Sequence, residues 1–209
     1  MFVAVVPPEE VVAHLDEFLA VRRDAAAYRW TVPEQWHLTL AFAEDVPDRS
    51  LDDLVGPLDT GFISMMQFLP QERLGSAVTN LAHAKQILDE TIQYAKDRQA
   101  FGKPIGTFQA NQFLIAELVT RVEVTQAYVD QCVMRHTRGE LTAVDAAKAK
   151  WWTSQVQNDV LDHCVQLHGG YGFMNEYRVA RAWRDARVTK IWAGSNEIMK
   201  ELIGRDLGL

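Results

Sequence analysis

From Pro70 to His168, apolar residues recur every three or four positions in long runs divided by short breakers, and this periodicity restricts the fold most tightly. Pro70 is expected to open the first helix. Leu74, Ala77, Val78, Leu81, Leu88, Ile92 and Ala95 form its stripe, and Phe101-Gly102-Lys103-Pro104 ends it. The spacing predicts a second helix over about 107–137, carrying Phe108, Phe113, Leu114, Leu118, Val122, Val129 and Val133, with Gly139 as its stop. Thr142-Ala143-Val144-Asp145 has the form of a capping box and starts a third helix reaching His168. Shorter helices at about 175–191 and 196–207 follow. Long helices with short connections predict an antiparallel bundle over 70–209.

The residues before that block have another character. Phe2 to Val6 is a short apolar run closed by Pro7-Pro8, a strand signal. Pro8-Glu9-Glu10 makes a good first helical turn, because proline needs no donor there and acids suit the positive end. Trp36 to Phe42 alternates, placing His37, Thr39 and Ala41 on one face. Residues 1–55 therefore read as a strand-helix-strand unit and 56–69 as a turn-rich connector, giving an α+β chain that is mostly α. Residues 1–60 hold four arginines, no lysine and twelve acids, a net of −8, while 61–209 hold 17 basic and 16 acidic groups, a net of +1. Such a shift suggests two segments of different origin. The acidic part repels phosphate, so no nucleic acid is expected as a partner.

Cys132 and Cys164 lie in helical contexts and read as core thiols of a reducing compartment. The first residues have no basic n-region, and no stretch approaches the roughly 20 apolar residues of a membrane helix. A cytoplasmic location, no membrane and no metal site are the expectations.

Two places carry chemistry on their own terms. In the H-x-T of His37 and Thr39, an imidazole can pass a proton while the hydroxyl two residues on holds a phosphate oxygen. Gln166 to Ile198 joins a helix end to the Gly169-Gly170 turn, then runs an arginine-rich helix into Trp192-Ala193-Gly194-Ser195-Asn196. Glycines there permit φ > 0 or close approach to a ligand, and the start of the last helix offers N–H groups suited to anions.

The pieces Q-x-H-G-G-x-G-F-x-x-E-Y, R-x-x-R-D-A-R and I-x-x-G-S-x-E-I-M, in that order, resemble the C-terminal domain of acyl-CoA dehydrogenases. The likeness covers residues 61–209, and LPQERL, RQAFGKPIGTFQ and GSNEIMKELI bring it nearest the long-chain type. It implies an FAD-dependent oxidoreductase of fatty acid oxidation that dehydrogenates an acyl-CoA thioester, assembled as a homo-oligomer. By position, the family's FAD contacts fall on Arg98, Phe101, Phe108 and Gln109, and on Gln166, Gly169 and Gly170 against a neighbouring subunit's pyrophosphate. Gly194 would lie near the thioester, with Ser195, Asn196 and Glu197 near the cofactor. Each alone has a plainer reading: Arg98 as a last-turn cation, Phe101 and Phe108 as core aromatics, Gly169-Gly170 as a helix stop.

The resemblance also bears on the base. Many members carry a glutamate just before the glycine of the second turn, where this chain has Ala193. Long-chain and isovaleryl types place it before the arginine of x-E-R, which is Glu72 ahead of Arg73. Glu72 is thus the implied base and Arg73 its substrate-side neighbour, although Glu72 also reads as a first-turn acid. His168 is read as structural or at the cofactor's edge, as is Glu197.

FVAVVPPEEV and RWTVPEQWHLTLAF resemble the N-terminal half of two-histidine phosphoesterases, the RNA 2',3'-cyclic phosphodiesterase or 2'-5' RNA ligase family. That family uses two H-x-T/S motifs, and none of the other five histidines here repeats the motif. The chain therefore reads as a fusion of two incomplete parts with a seam between Ala43 and Gly56. The dehydrogenase family's N-terminal helical and middle β-domains are not expected here. A noncatalytic helical oligomerisation unit and a phosphodiesterase half-site are the alternative functions.

Overall fold

The computed structural model describes residues 2–23, 32–36, 38–42 and 61–209. The chain divides into two units, one up to Phe62 and one from Ile63 to Leu209. In the first, β1 (Phe2–Val5) pairs antiparallel with β2 (Leu38–Phe42), and the register slips between Val3↔Ala41 and Ala4↔Thr39. The helix α1 (Glu9–Arg23) starts as its sequence requires: the N–H groups of Val11 and Val12 donate to Pro8 O at 2.9 and 3.0 Å. A 3-10 turn covers Pro33–Gln35. Thr39 lies in β2, whereas His37 and the seam between Ala43 and Gly56 lie outside the described residues.

The second unit is helical. Helix α2 (Gly61–Asp97) leads into a two-stranded hairpin, β3 (Gln99–Ala100) and β4 (Lys103–Pro104). Then come α3 (Gln109–Thr137), α4 (Ala143–His168), α5 (Arg178–Ala186) and α6 (Asn196–Asp206). Cross-contacts give the directions. Arg135 meets Asp145 and Arg121 meets Asp159, so α3 and α4 run antiparallel. Asn80 meets Thr153, His83 meets Gln157 and Tyr94 meets His168, so α2 and α4 run the same way. The bundle goes up, down and up. α4 is its central rod, with thirteen of its 26 residues buried. Leu81, Ile87, Leu88, Leu118, Val122, Val160 and Leu161 fill the main core, each worth about 1.5–3 kcal/mol when fully buried.

Local signals explain the ends. Thr142 accepts from the Asp145 N–H at 3.0 Å while the Asp145 carboxylate accepts from the Thr142 N–H, which completes the capping box. Ser195 caps α6 by accepting from the Ile198 N–H. Three expectations change. α2 begins at Gly61 rather than Pro70 and runs through the proline, giving up only the bond its missing N–H would have made. Val78 and Phe113 are exposed, at 42% and 60%. Each sits one residue off the buried phase, which runs 74, 77, 81, 84, 88 on α2 and 118, 122, 125, 129, 132 on α3. The 175–191 segment divides into α5 and a 3-10 turn over Arg187–Lys190. Both cysteines are free and buried. Among the described residues, no helix is long and apolar enough to cross a membrane.

Candidate functional site

Between the 3-10 turn and α6 the backbone takes two successive left-handed steps, Ala193 at φ 53° and Gly194 at φ 93°. An L-residue there costs about 1–2 kcal/mol, so something must hold Ala193 in place. Two side chains do. Arg73 Nε, on α2, donates to Ala193 O at 3.2 Å. Lys150 Nζ, on α4, donates to Gly194 O at 2.6 Å and to Asn196 Oδ1 at 3.3 Å. Ser154 Oγ also donates to Asn196 Oδ1, at 2.9 Å. Gly194 is favoured by its φ, and a Cβ there would also stand 2.6 Å from Met199 Cε and force that methyl to shift. Met199 is fully buried, so its terminal methyl would have to move within the packed interior.

Both cations are buried, and among the described residues neither pairs with a carboxylate. Burial and the nearby Arg73 guanidinium pull the Lys150 amine down to about 8, against the Glu197 charge, which raises it. Burial likewise lowers Arg73 below the usual guanidinium value. Glu72 stands one residue before Arg73 on α2, exposed. Glu197 is exposed in the first turn of α6, where its own N–H and the Ser195 hydroxyl hold its carboxyl below the usual range.

At the other end of α4 lies an open groove of about 500 Å³, lined in part by Tyr94, Arg98, Gln166, Gly169, Gly170 and Tyr171. His168 stacks on Tyr94 at 4.1 Å between ring centroids. Its Nδ1 lies 2.8 Å from Cys164 O, so that nitrogen carries the proton, because a carbonyl can only accept. The Arg98 guanidinium sits 5.2 Å over the Tyr171 ring, which stacks on Tyr177 at 5.1 Å. Gly169 takes φ 60°, and a Cβ at Gly169 or Gly170 would meet nothing within 4 Å. The hairpin adjoins this groove, since Ile105 N donates to Arg98 O at 2.8 Å. At its tip Phe101 is 94% exposed with φ 52°, edge-on to Phe108 at 6.2 Å. Lys103 Nζ lies 4.5 Å over Phe108, and Gln109 opens α3, exposed.

The structure thus brings Arg73, Gly194, Ser195, Asn196 and Glu197 together at the bend, with Glu72 one residue from Arg73. It gathers Arg98, Gln166, Gly169 and Gly170 at the groove, with Phe101 at the tip of the adjoining hairpin and Phe108 and Gln109 at the start of α3. Sequence reading missed Lys150, Tyr94 and Tyr171. A signal for Lys150 existed, since it lies one turn from Ala146 and from Ser154 on the buried face of α4. Among the described residues, no group of three His, Cys, Asp or Glu could hold a metal ion.

Comparison with known proteins fits this layout. The family model for the acyl-CoA dehydrogenase C-terminal domain matches residues 59–208, and that for LigT-like phosphoesterase matches residues 5–64. The chain is 47% identical over 154 residues to the mitochondrial long-chain specific acyl-CoA dehydrogenase of Sus scrofa, covering 74% of this chain and 36% of that protein. It is 36% identical over 163 residues to an acyl-CoA dehydrogenase of Bacillus subtilis, covering 78% and 42%. The acyl-CoA dehydrogenase structure from Geobacillus kaustophilus superposes with a TM-score of 0.70 at 41% identity, over 72% of this chain and 40% of that one. Butyryl-CoA dehydrogenase of Megasphaera elsdenii gives a TM-score of 0.71 at 36% identity, over 74% and 40%. The chain spans well under half the length of these relatives. Bend, groove and hairpin all fall inside the matched span, and through that span the chain belongs to the acyl-CoA dehydrogenase family.

Proposed function

We propose that this chain is an acyl-CoA dehydrogenase-type oxidoreductase unit in which Glu72 removes the α-proton of an acyl thioester lying against the Ala193–Gly194 bend. The observation that carries the reading is the 3.2 Å hydrogen bond from Arg73 Nε to Ala193 O, which ties the residue after Glu72 to that bend. Ala193 has no group that takes a proton, so the carboxylate must come from elsewhere, and Glu72 is exposed on the adjoining helix. Arg73 spends Nε on the bend and keeps its other N–H groups for a substrate oxygen, with Gly194 beside the thioester. Ser195, Asn196 and Glu197 follow at the start of α6. Asn196 is buried against Lys150 and Ser154, so it acts from behind the bend.

The groove suits FAD. The Arg98 guanidinium matches a pyrophosphate, and the open space beside Gly169 and Gly170 is what an approaching phosphate needs, while the Gly169 N–H itself is given to Gln166 O. Arg98, Gln166, Gly169 and Gly170 would hold that part, with Phe101, Phe108 and Gln109 against the rest. When bound, the flavin supplies the hydride acceptor. Because family members share FAD across a subunit boundary, the working form is a homo-oligomer. The test is direct: purified protein should bind FAD, show its absorbance and oxidise long-chain acyl-CoA with ferricenium, with turnover lost in Glu72→Gln. Protein that takes up no flavin and turns over no acyl-CoA overturns the reading.

A second reading, a noncatalytic helical assembly unit, is favoured by the residues directly before the bundle, which match a phosphoesterase family instead. Association without flavin or turnover would select it. The half-site at His37 and Thr39 would need a second histidine from a partner chain, and cleavage of a 2',3'-cyclic phosphate abolished by His37→Ala is its test.

A further inference from the structure

We infer that Lys150 is a positioning residue: its buried amine and the Arg73 guanidinium hold the two successive carbonyls of the Ala193–Gly194 bend and so fix where the bend presents its backbone. This goes beyond the dehydrogenase reading and stands on the bend alone.

The geometry is one amine serving two elements. Lys150 Nζ lies 2.6 Å from Gly194 O and 3.3 Å from Asn196 Oδ1, joining the last residue of the bend to the first residue of α6. Asn196 is fixed in turn, its Oδ1 accepting from Ser154 Oγ and its Nδ2 donating to Trp151 O at 3.5 Å. Arg73 takes the preceding carbonyl from the opposite helix. Ala193 at φ 53° would relax toward ordinary φ if these donors were lost. Volume alone does not explain a lysine here. An aliphatic side chain would fill the site without the cost of burying a charge, but it would leave Gly194 O without its donor. The charged groups facing the amine are Arg73 from α2, which disfavours its proton, and Glu197 from α6, which favours it. Loss of that proton keeps both N–H donors but weakens both bonds, because charge-assisted bonds are about twice as strong.

The experiment uses the full chain with [1-¹³C]glycine and ¹⁵N-serine. That labelling selects the Gly–Ser pairs at 75–76 and 194–195, so the Gly75 carbonyl serves as the control for Gly194. Between about pH 6.5 and 10, the Gly194 carbonyl shift should titrate with a midpoint near 8 while Gly75 stays still. Lys150→Arg should leave Gly194 near its low-pH position with no transition, and Lys150→Met should move it and abolish the transition. A stationary Gly194 carbonyl in folded wild-type protein overturns the proposal, as does a transition that survives in Lys150→Met. Should the methionine variant fail to fold, the wild-type and arginine titrations decide. None of these readings depends on flavin or acyl-CoA, so a failed dehydrogenase assay leaves this result intact.

Discussion

The bend and the groove both hang on α4, yet they are built by opposite means. At the bend, buried donors from two helices occupy successive carbonyls, and the glycine is hemmed in by Met199. At the groove, the arginine lies over an aromatic face, and the glycines open onto empty space. The difference separates a part held in one shape by its neighbours from a part left open to solvent. A preorganised backbone suits proton transfer, which requires placement, and open space beside an arginine suits a large anionic ligand.

Glycine substitutions would break this contrast first. Gly194→Val should cost about 2–5 kcal/mol in urea unfolding, from left-handed strain plus overpacking against Met199. Gly169→Ala, at φ 60° and ψ −137° with no neighbour within 4 Å, should cost about 1–3 kcal/mol from backbone strain alone. Equal losses would erase the distinction. Lys150→Met should cost about 1–3 kcal/mol by leaving Gly194 O without a partner. Its pH dependence has a defined sign. The folded amine sits near 8 against an ordinary 10.5, so between those values the unfolded chain binds more protons and stability should rise with pH. A flat or falling stability across that window in wild type contradicts this.

Smaller effects sharpen the picture. Thr142→Ala should cost about 1 kcal/mol by removing the cap of α4. Burial alone would raise Asp145, but hydrogen bonds from Thr142 and the Arg135 guanidinium outweigh it, and the carboxyl is held below its usual value. Its contribution is therefore full above about pH 4 and is lost as pH falls through the lowered value, which an acid titration of unfolding should show. Arg98→Gln should change stability by less than about 0.5 kcal/mol while weakening nucleotide binding about tenfold, read by titration with FAD or ADP.

Much of this was legible in the letters, and the failures have physical causes. Thr142 and Asp145 announce a helix start because the capping box is local chemistry, and it forms as written. Gly169 and Gly194 stand where φ turns positive, which only the backbone demands. Pro70 misleads because a proline that usually opens a helix can also lie inside a long one that loses a single bond. Val78 and Phe113 mislead because hydrophobicity alone does not fix helical phase to one residue. Lys150 escaped because a lysine normally marks a solvated face, and only the fold supplies the carbonyls that receive it. Ala193 is the reverse case: its left-handed φ is invisible in the sequence, since no local rule asks alanine to adopt it.

The role given to Glu72 can be measured without following the whole reaction. Protein with bound FAD, mixed with a saturated long-chain acyl-CoA in D₂O, should exchange the thioester α-hydrogen for deuterium, read by mass spectrometry. Glu72→Gln should slow that exchange by about 10²–10⁴-fold while unfolding in urea as wild type does. Exchange at the wild-type rate in Glu72→Gln would contradict the account.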